Sequence, residues 1–349
     1  ATETGEAGSI LCLDVSPQTE DEEYNIAVGT GSGKVWRFTM CSGYCPTHWE
    51  EASDAANYPG WETSTNVFAV AFSPNFVDDD TILAVTTDGV STYQQTGLWG
   101  DVEAWNDQAE DFPAAIVIVA ETAIGAGIAL PEDYTGYDDD MRYSWVYVNY
   151  DGEGRIFEIN GEDAKPADID CGPNEFSDDE YPYLASISMT GEIDDGALMV
   201  GACEFPDEEY CDGVQVYRTG EWPIYTCCPD WERADKPPTG MYNAIVAYTP
   251  DGDKAYAATS GDGRSVYDES AFSMSEIEEV GKYWNQLSLI DTYIDELSDV
   301  AVNSECGTIY LASVNTERDG CDSVWLSTDE GESYMRVWNG ALEGTPQNG

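Results

Sequence analysis

Carboxylates are the side chains with most chemistry to offer in this sequence, and they come in runs: Glu20 to Glu23, Asp78 to Asp80, Asp138 to Asp140, Asp178 to Glu180, Asp194 with Asp195, and Asp207 to Glu209. Clustered carboxylate oxygens suit Ca²⁺, a hard cation that takes six to eight oxygen ligands in irregular geometry. Asp78, Asp79, Asp80, Asp138, Asp139 and Asp140 are the expected ligands, and Ca²⁺ the expected cofactor, although no EF-hand loop is present. The competing reading is a set of solvated loops that only keep the chain soluble. Proton transfer by histidine has almost no basis, because His48 is the single histidine and stands beside Trp49. The run from Gly29 to Lys34 is glycine-rich, but it joins two expected strands and so is a tight turn, not a phosphate-binding loop. No catalytic residue is assigned. A hydrolase for neutral glycans needs only two well-separated carboxylates, and with 69 acids that alternative stays open.

Lys and Arg total 13 against those 69 acids, a formal net charge of -56 on 349 residues. Such a field excludes nucleic acid and anionic lipid as partners and favours cations or cation-bearing surfaces. Hydrophobic residues make up 42 % of the chain, enough for a large core. No apolar run is long enough to span a membrane. Ten cysteines with one histidine and no C-x-x-C pair point to disulfides and to a secreted, extracellular or cell-surface protein. Cys41 with Cys45, Cys203 with Cys211, and Cys306 with Cys321 bracket turn-rich segments and are expected to pair. Cys227 and Cys228 are adjacent and should reach different partners, with Cys12 and Cys171 as candidates, or a second subunit. Ala1-Thr-Glu3 fits a mature end after signal cleavage, and residues 341–349 read as a linker to further chain.

The elements that must position these groups are short strands in a repeat. Ile10-Leu-Cys-Leu-Asp-Val-Ser-Pro17 followed by Asn25-Ile-Ala-Val-Gly29 is matched by Val67-Phe-Ala-Val-Ala-Phe-Ser-Pro74 followed by Thr81-Ile-Leu-Ala-Val85. The plan returns at Ala244 to Pro250 with Lys254 to Ala258, and at Leu297 to Val302 with Thr308 to Ala312; weaker copies begin at Ala115 and Leu184. Six units result, starting near residues 9, 67, 114, 184, 243 and 297. Their spacing fits four-stranded blades, so the expectation is an all-β, disulfide-stapled β-propeller of six blades filling residues 1–349 as one domain. Only Ser273 to Leu287 and Asp291 to Leu297 could pass for helix turns. Trp36, Trp61, Trp99, Trp105, Trp222, Trp231, Trp284 and Trp338 fall at blade spacing and are read as inter-sheet core before glycan-stacking residues. On this register the acids near 20, 78, 194 and 251 lie between first and second strands, and those near 138 and 207 between second and third.

The last unit contains Ser327-Thr-Asp329-Glu-Gly331-Glu-Ser-Tyr334, which resembles the Asp-box, with Asn149-Tyr-Asp151-Gly152 as a degenerate echo. With the Ser73-Pro-Asn-Phe segment, the repeats resemble the Asp-box (BNR-like) propellers of secreted and S-layer-like proteins in bacteria such as the Chloroflexota. That resemblance implies a turn between third and fourth strands: Asp329 accepts backbone N–H groups, Gly331 takes a positive φ, and Tyr334 opens the outer strand. It also raises sialidase activity, which the absence of an Arg-Ile-Pro segment and the acidity of the chain argue against.

The functional expectation is a non-enzymatic structural or adhesive protein, a repeating subunit of a surface layer, sheath or extracellular filament, with itself as main partner. The alternative is a glycan-binding protein or neutral-glycan glycoside hydrolase.

Overall fold

The computed structural model describes residues 9–19, 22–41, 48–100, 103–109, 112–167, 182–204, 213–219, 229, 231–240, 242–260, 270–276, 279–289, 296–303, 307–314, 322–331 and 333–340. They form six antiparallel sheets, each meandering from first to fourth strand in chain order. The first strands are Ile10–Val15, Asn66–Phe72, Gly125–Ala129, Tyr183–Thr190, Tyr242–Tyr248 and Glu296–Asn303. Two compact units divide the chain: one holds sheets 1 to 3 with the 192–196 loop, the other sheets 4 to 6.

One expected blade start is corrected. The apolar run from Ala115 does not open sheet 3; Ile116–Val119 pairs with Thr92 to Gln94 and belongs to the outer edge of sheet 2. Glu103–Trp105 pairs with the other end of the same strand, at Gly97 to Trp99. The outer strand of sheet 2 is thus broken between Trp105 and Ile116, which gives that sheet five strands. Asn106, at φ 52°, covers the break: its side-chain oxygen accepts Thr96 N–H at 3.2 Å, and its amide donates to Gly60 O and Gln95 Oε1. An apolar tetrad reads alike as a first or a fourth strand, because both pack on a neighbouring sheet.

The two segments that could pass for helix turns also resolve. Residues 273 to 287 contribute to the strands Ala271–Glu276 and Asn285–Leu289, and 291 to 295 lie outside the described residues.

Within the first unit, Ala27, Val67, Val70, Phe72, Phe76, Ile82, Trp99 and Trp105 pack sheet 1 on sheet 2. Ala69, Val85, Ile116, Val146, Val148 and Phe157 pack sheet 2 on sheet 3. In the second unit Met199, Val216, Val246, Ala255 and Trp284 join sheets 4 and 5, while Ala258, Phe272, Leu297, Ile309 and Leu311 join sheets 5 and 6. Two glycines in second strands have a steric cause. A Cβ on Gly29 would lie 2.4 Å from Cys12 Sγ and 2.6 Å from Val67 Cγ1, and one on Gly201 would lie 1.7 Å from Ala244 O. Polar side chains stitch the same junctions. Phe72 N–H donates to Asp14 Oδ2 at 2.7 Å; Ser186 Oγ donates to Ala244 O at 2.9 Å and accepts Val246 N–H at 2.8 Å; Ser188 Oγ accepts Tyr248 N–H at 3.0 Å.

Of the tryptophans, Trp99, Trp105, Trp231 and Trp284 are buried as expected, whereas Trp338 is exposed and Trp222 lies outside the described residues. Cys41 and Cys203 are disulfide-bonded. Cys12 is not: it is a free thiol whose Sγ faces Val67 O at 3.6 Å, and burial pushes its pKa up to about 12. It serves as a small apolar filler between sheets 1 and 2. Cys45, Cys171, Cys211, Cys227, Cys228, Cys306 and Cys321 lie outside the described residues.

With ten cysteines and Cys12 free, nine remain, an odd number. Alkylation of unfolded, unreduced protein is therefore expected to label at least two thiols per monomer or to expose an interchain disulfide; a monomer with no labelled thiol would show that Cys12 is bonded. A second expectation concerns Asp14, whose carboxyl is pushed up to about 6 by burial. Folding favours its protonated form, so its contribution is fully present below about pH 4 and is lost as pH rises through 6. Asp14→Asn should raise stability by about 2 kcal/mol at pH 8 and hardly at pH 4, read by urea unfolding at both pH values.

Candidate functional site

The two aspartate runs expected to bind calcium lie on loops of the same kind. Because sheet 3 begins at Gly125, Asp138 to Asp140 precede its second strand, Ser144–Tyr150, just as Asp78 to Asp80 precede Thr81–Thr87 in sheet 2. The expectation that Asp138 to Asp140 lie between second and third strands is corrected by one strand. The Asp207 to Glu209 run lies outside the described residues.

The six aspartates do different work. Phe76–Asp79 is a single helical turn, and Asp79 at its end is fully buried with both oxygens engaged by protein donors. Asp80 follows at φ 48°, and its carbonyl accepts Trp99 N–H at 2.8 Å. Asp78 is exposed. Asp138 caps the short helical turn Asp139–Met141 by accepting Asp140 N–H at 3.0 Å, Asp139 pairs with Arg142, and Asp140 is exposed. Among the described residues, no group of three or more His, Cys, Asp and Glu side chains is placed to hold a metal ion. His48 is exposed.

The second of these loops helps to build a cleft of about 570 Å³ in the first unit. Phe112 and Pro113 enter it from the break in the outer strand of sheet 2, Asp139, Asp140, Arg142 and Tyr143 from the loop before Ser144, and Asn160, Gly161, Glu162 and Asp163 from the turn after the third strand, Glu153–Ile159. Asn160 shapes that turn, its side-chain oxygen accepting Asp163 N–H at 3.2 Å.

Arg142 is the one cation among the described residues of the lining, and it is only 6 % exposed. Its Nε donates to Gly136 O at 2.7 Å, its Nη1 pairs with Asp139, and its guanidinium lies 4.5 Å from the Phe112 ring centroid. Gly161, at φ +85°, lets the turn close on the arginine stem, since a Cβ there would sit 3.1 Å from Arg142 Cβ. The guanidinium is therefore committed to the wall, and the free charge facing the cleft is negative, from Asp140, Glu162 and Asp163. Tyr143 is half-buried and stacks on the fully buried Trp145 with ring centroids 6.4 Å apart. A braced aromatic beside carboxylate and amide groups can stack on a sugar face and hydrogen-bond its hydroxyls. The sequence signal for this site was hidden: Phe112 and Tyr143 belong to no repeat element, and Arg142 follows an acidic run that reads as solvated.

The segment that begins at Ser327 forms a turn held by its own side chains. Ser327 Oγ donates to Asp329 Oδ1 at 2.8 Å and accepts Gly331 N–H at 2.9 Å, Ser333 N–H donates to Asp329 Oδ1 at 2.9 Å, and Gly331 has φ +90°. The turn joins Asp322–Ser327 to the fourth strand, which starts at Met335, one residue after Tyr334. These bonds hold the Asp329 carboxyl below the usual range, the Ser333 hydroxyl having the largest effect. The echo at Asp151-Gly152 is a different turn, at φ 49° and 84°, between second and third strands.

No protein-family model and no curated protein matches the chain. Solved structures do. The BP39L lectin from Burkholderia pseudomallei aligns with TM-score 0.56 at 12 % identity, over 94 % of this chain and 84 % of that one. The GH74 xyloglucanase from Xanthomonas campestris aligns with TM-score 0.55 at 15 % identity, over 93 % of this chain and 45 % of that one. The Aleuria aurantia lectin, a complex with α-methyl-L-fucoside, aligns with TM-score 0.51 at 11 % identity, over 98 % of this chain and 97 % of that one. At these identities the likeness concerns the fold. Six meandering sheets matched over nearly the whole chain by propeller structures make this an all-β protein of the six-bladed β-propeller class.

Arg142→Met keeps the stem over Gly161 but strands the Gly136 carbonyl. It should lower stability by about 1–3 kcal/mol in urea melts, and an unchanged midpoint would mean that the guanidinium is free.

Proposed function

We propose that the protein is a secreted, glycan-binding β-propeller that holds uncharged sugars in the Arg142 cleft without cleaving them. The observation that carries this reading is the pairing of a braced aromatic, Tyr143, with a wall whose cation is already engaged. Anionic sugars would meet Asp140, Glu162 and Asp163 with no free cation to offset them. Neutral sugars offer vicinal hydroxyls that carboxylates accept well. The disulfides at Cys41 and Cys203 fit an oxidising, extracellular compartment, and the turn at Ser327 fits the Asp-box resemblance. The lectin and GH74 neighbours favour sugar recognition over the self-assembling surface-layer or filament reading.

The test is calorimetric titration with a xyloglucan oligosaccharide, α-methyl-L-fucoside and an oligogalacturonate of matched length. Binding of a neutral probe with at least tenfold preference over the uronate is expected, and Tyr143→Ala should weaken it roughly three- to tenfold. Equal or tighter binding of the uronate, or no binding of any neutral probe, rejects the reading. New reducing ends during incubation would replace it with a hydrolase.

A further inference from the structure

Two acidic loops meet at one residue, Gly136, which also carries the arginine of the cleft. Asp79 Oδ1 accepts Thr81 N–H at 3.0 Å, while its Oδ2 accepts the Ser73 hydroxyl at 2.7 Å and, from the loop of the next blade, Gly136 N–H at 2.8 Å. On its other side Gly136 offers its carbonyl to Arg142 Nε at 2.7 Å. There is no slack at this point: a Cβ on Gly136 would stand 2.0 Å from Thr81 Oγ1 and 3.0 Å from the Phe112 ring. The neighbouring carbonyl of Tyr134 is held as well, by Asn75 Nδ2 at 2.7 Å.

We infer that Asp79 is a positioning residue for the cleft: acting from the adjacent blade through Gly136, it fixes where the Arg142 guanidinium lies and so the shape of the sugar-binding wall. The affinity part of this inference rests on the glycan-binding reading; the placement of Arg142 does not.

The chemistry requires a carboxylate. Three donors converge on Asp79, two of them backbone N–H groups that cannot reverse, and only a group with two acceptor oxygens satisfies both. An asparagine would satisfy one N–H and turn its own N–H₂ toward the other, donor against donor. The hydroxyl of Ser73 can turn to suit either side chain, so it does not relieve the conflict. With Asp79 fully buried, no water replaces the missing acceptor, and the least costly response is for Gly136 to move away and its carbonyl to leave Arg142 Nε.

The experiment compares full-length native protein, Asp79→Asn and Asn25→Ala by the ¹⁵N–¹H signals of arginine Nε, with Arg142→Lys to assign the resonance, and by titration with the xyloglucan oligosaccharide. Asn25 is a buried control in blade 1, where its oxygen accepts from Arg37 Nε at 3.0 Å. Asp79→Asn is expected to shift or broaden the Arg142 signal and weaken binding about tenfold, the scale of one unsatisfied buried donor. Asn25→Ala should move the Arg37 signal alone and leave affinity within twofold. An unchanged Arg142 signal in folded Asp79→Asn overturns the inference, as does affinity kept within twofold or a loss that Asn25→Ala reproduces. If native protein binds no neutral sugar, the functional reading fails by itself and the Arg142 signal alone decides the placement. Should Asp79→Asn not fold, Ser73→Ala removes one support of the carboxylate and should give a smaller shift in the same direction; no shift is again the contrary result.

Discussion

Neighbouring sheets in each unit approach so closely that one second-strand position facing the next first strand leaves no room for a Cβ. Gly29 against Val67 and Gly201 against Ala244 show the same steric limit in two units of the repeat. Close approach brings backbone groups of one sheet within reach of side chains from the previous one, and the stitches at Asp14, Ser186 and Ser188 follow from it. Such bonds are directional where hydrophobic burial is not. The apolar clusters hold the sheets together, and the stitches set the offset at which they meet.

Charge is distributed by the same geometry. Most described carboxylates stand on loops in solvent, where repulsion is screened by salt and each is worth little. A few are drawn inward, and their surroundings decide what they become. Asp14 meets one strong donor, and burial raises its pKa; Asp79 meets three donors and ties two loops together. Asp139 remains exposed and supplies the countercharge for an arginine that is itself buried. Three aspartates thus reach three physical outcomes without any difference in residue type.

The cleft depends on this inward use of polar groups. Its wall is an arginine held by a carbonyl, a carboxylate and an aromatic ring, and its aromatic contact is a tyrosine backed by a buried tryptophan. Neither group can rearrange cheaply, so the surface is formed before any ligand arrives, and little ordering cost is left for binding.

Repeat rhythm was legible in the residues because strand alternation and small-residue endings are local consequences of packing: five of the six first strands begin within a residue or two of where the repeats start, and the turn at Ser327 to Tyr334 is written in its own side chains. The strand at Ile116 was misread because its local pattern is compatible with either edge of a blade, and only pairing with Thr92 to Gln94 separates the two. Cys12 looked like a disulfide partner because counting cysteines says nothing of what each one faces. The site was hidden for the same reason. Phe112, Gly136, Arg142, Tyr143 and Asp79 span some 60 residues of chain, and what joins them is the meeting of loops from adjacent blades. Sequence determined the strands, their period and the acidic character of the loops, all of which follow from short-range chemistry. Tertiary structure alone decided which carboxylate is buried, which arginine is neutralised and where the cleft opens, since these depend on distances between loops that no local pattern encodes.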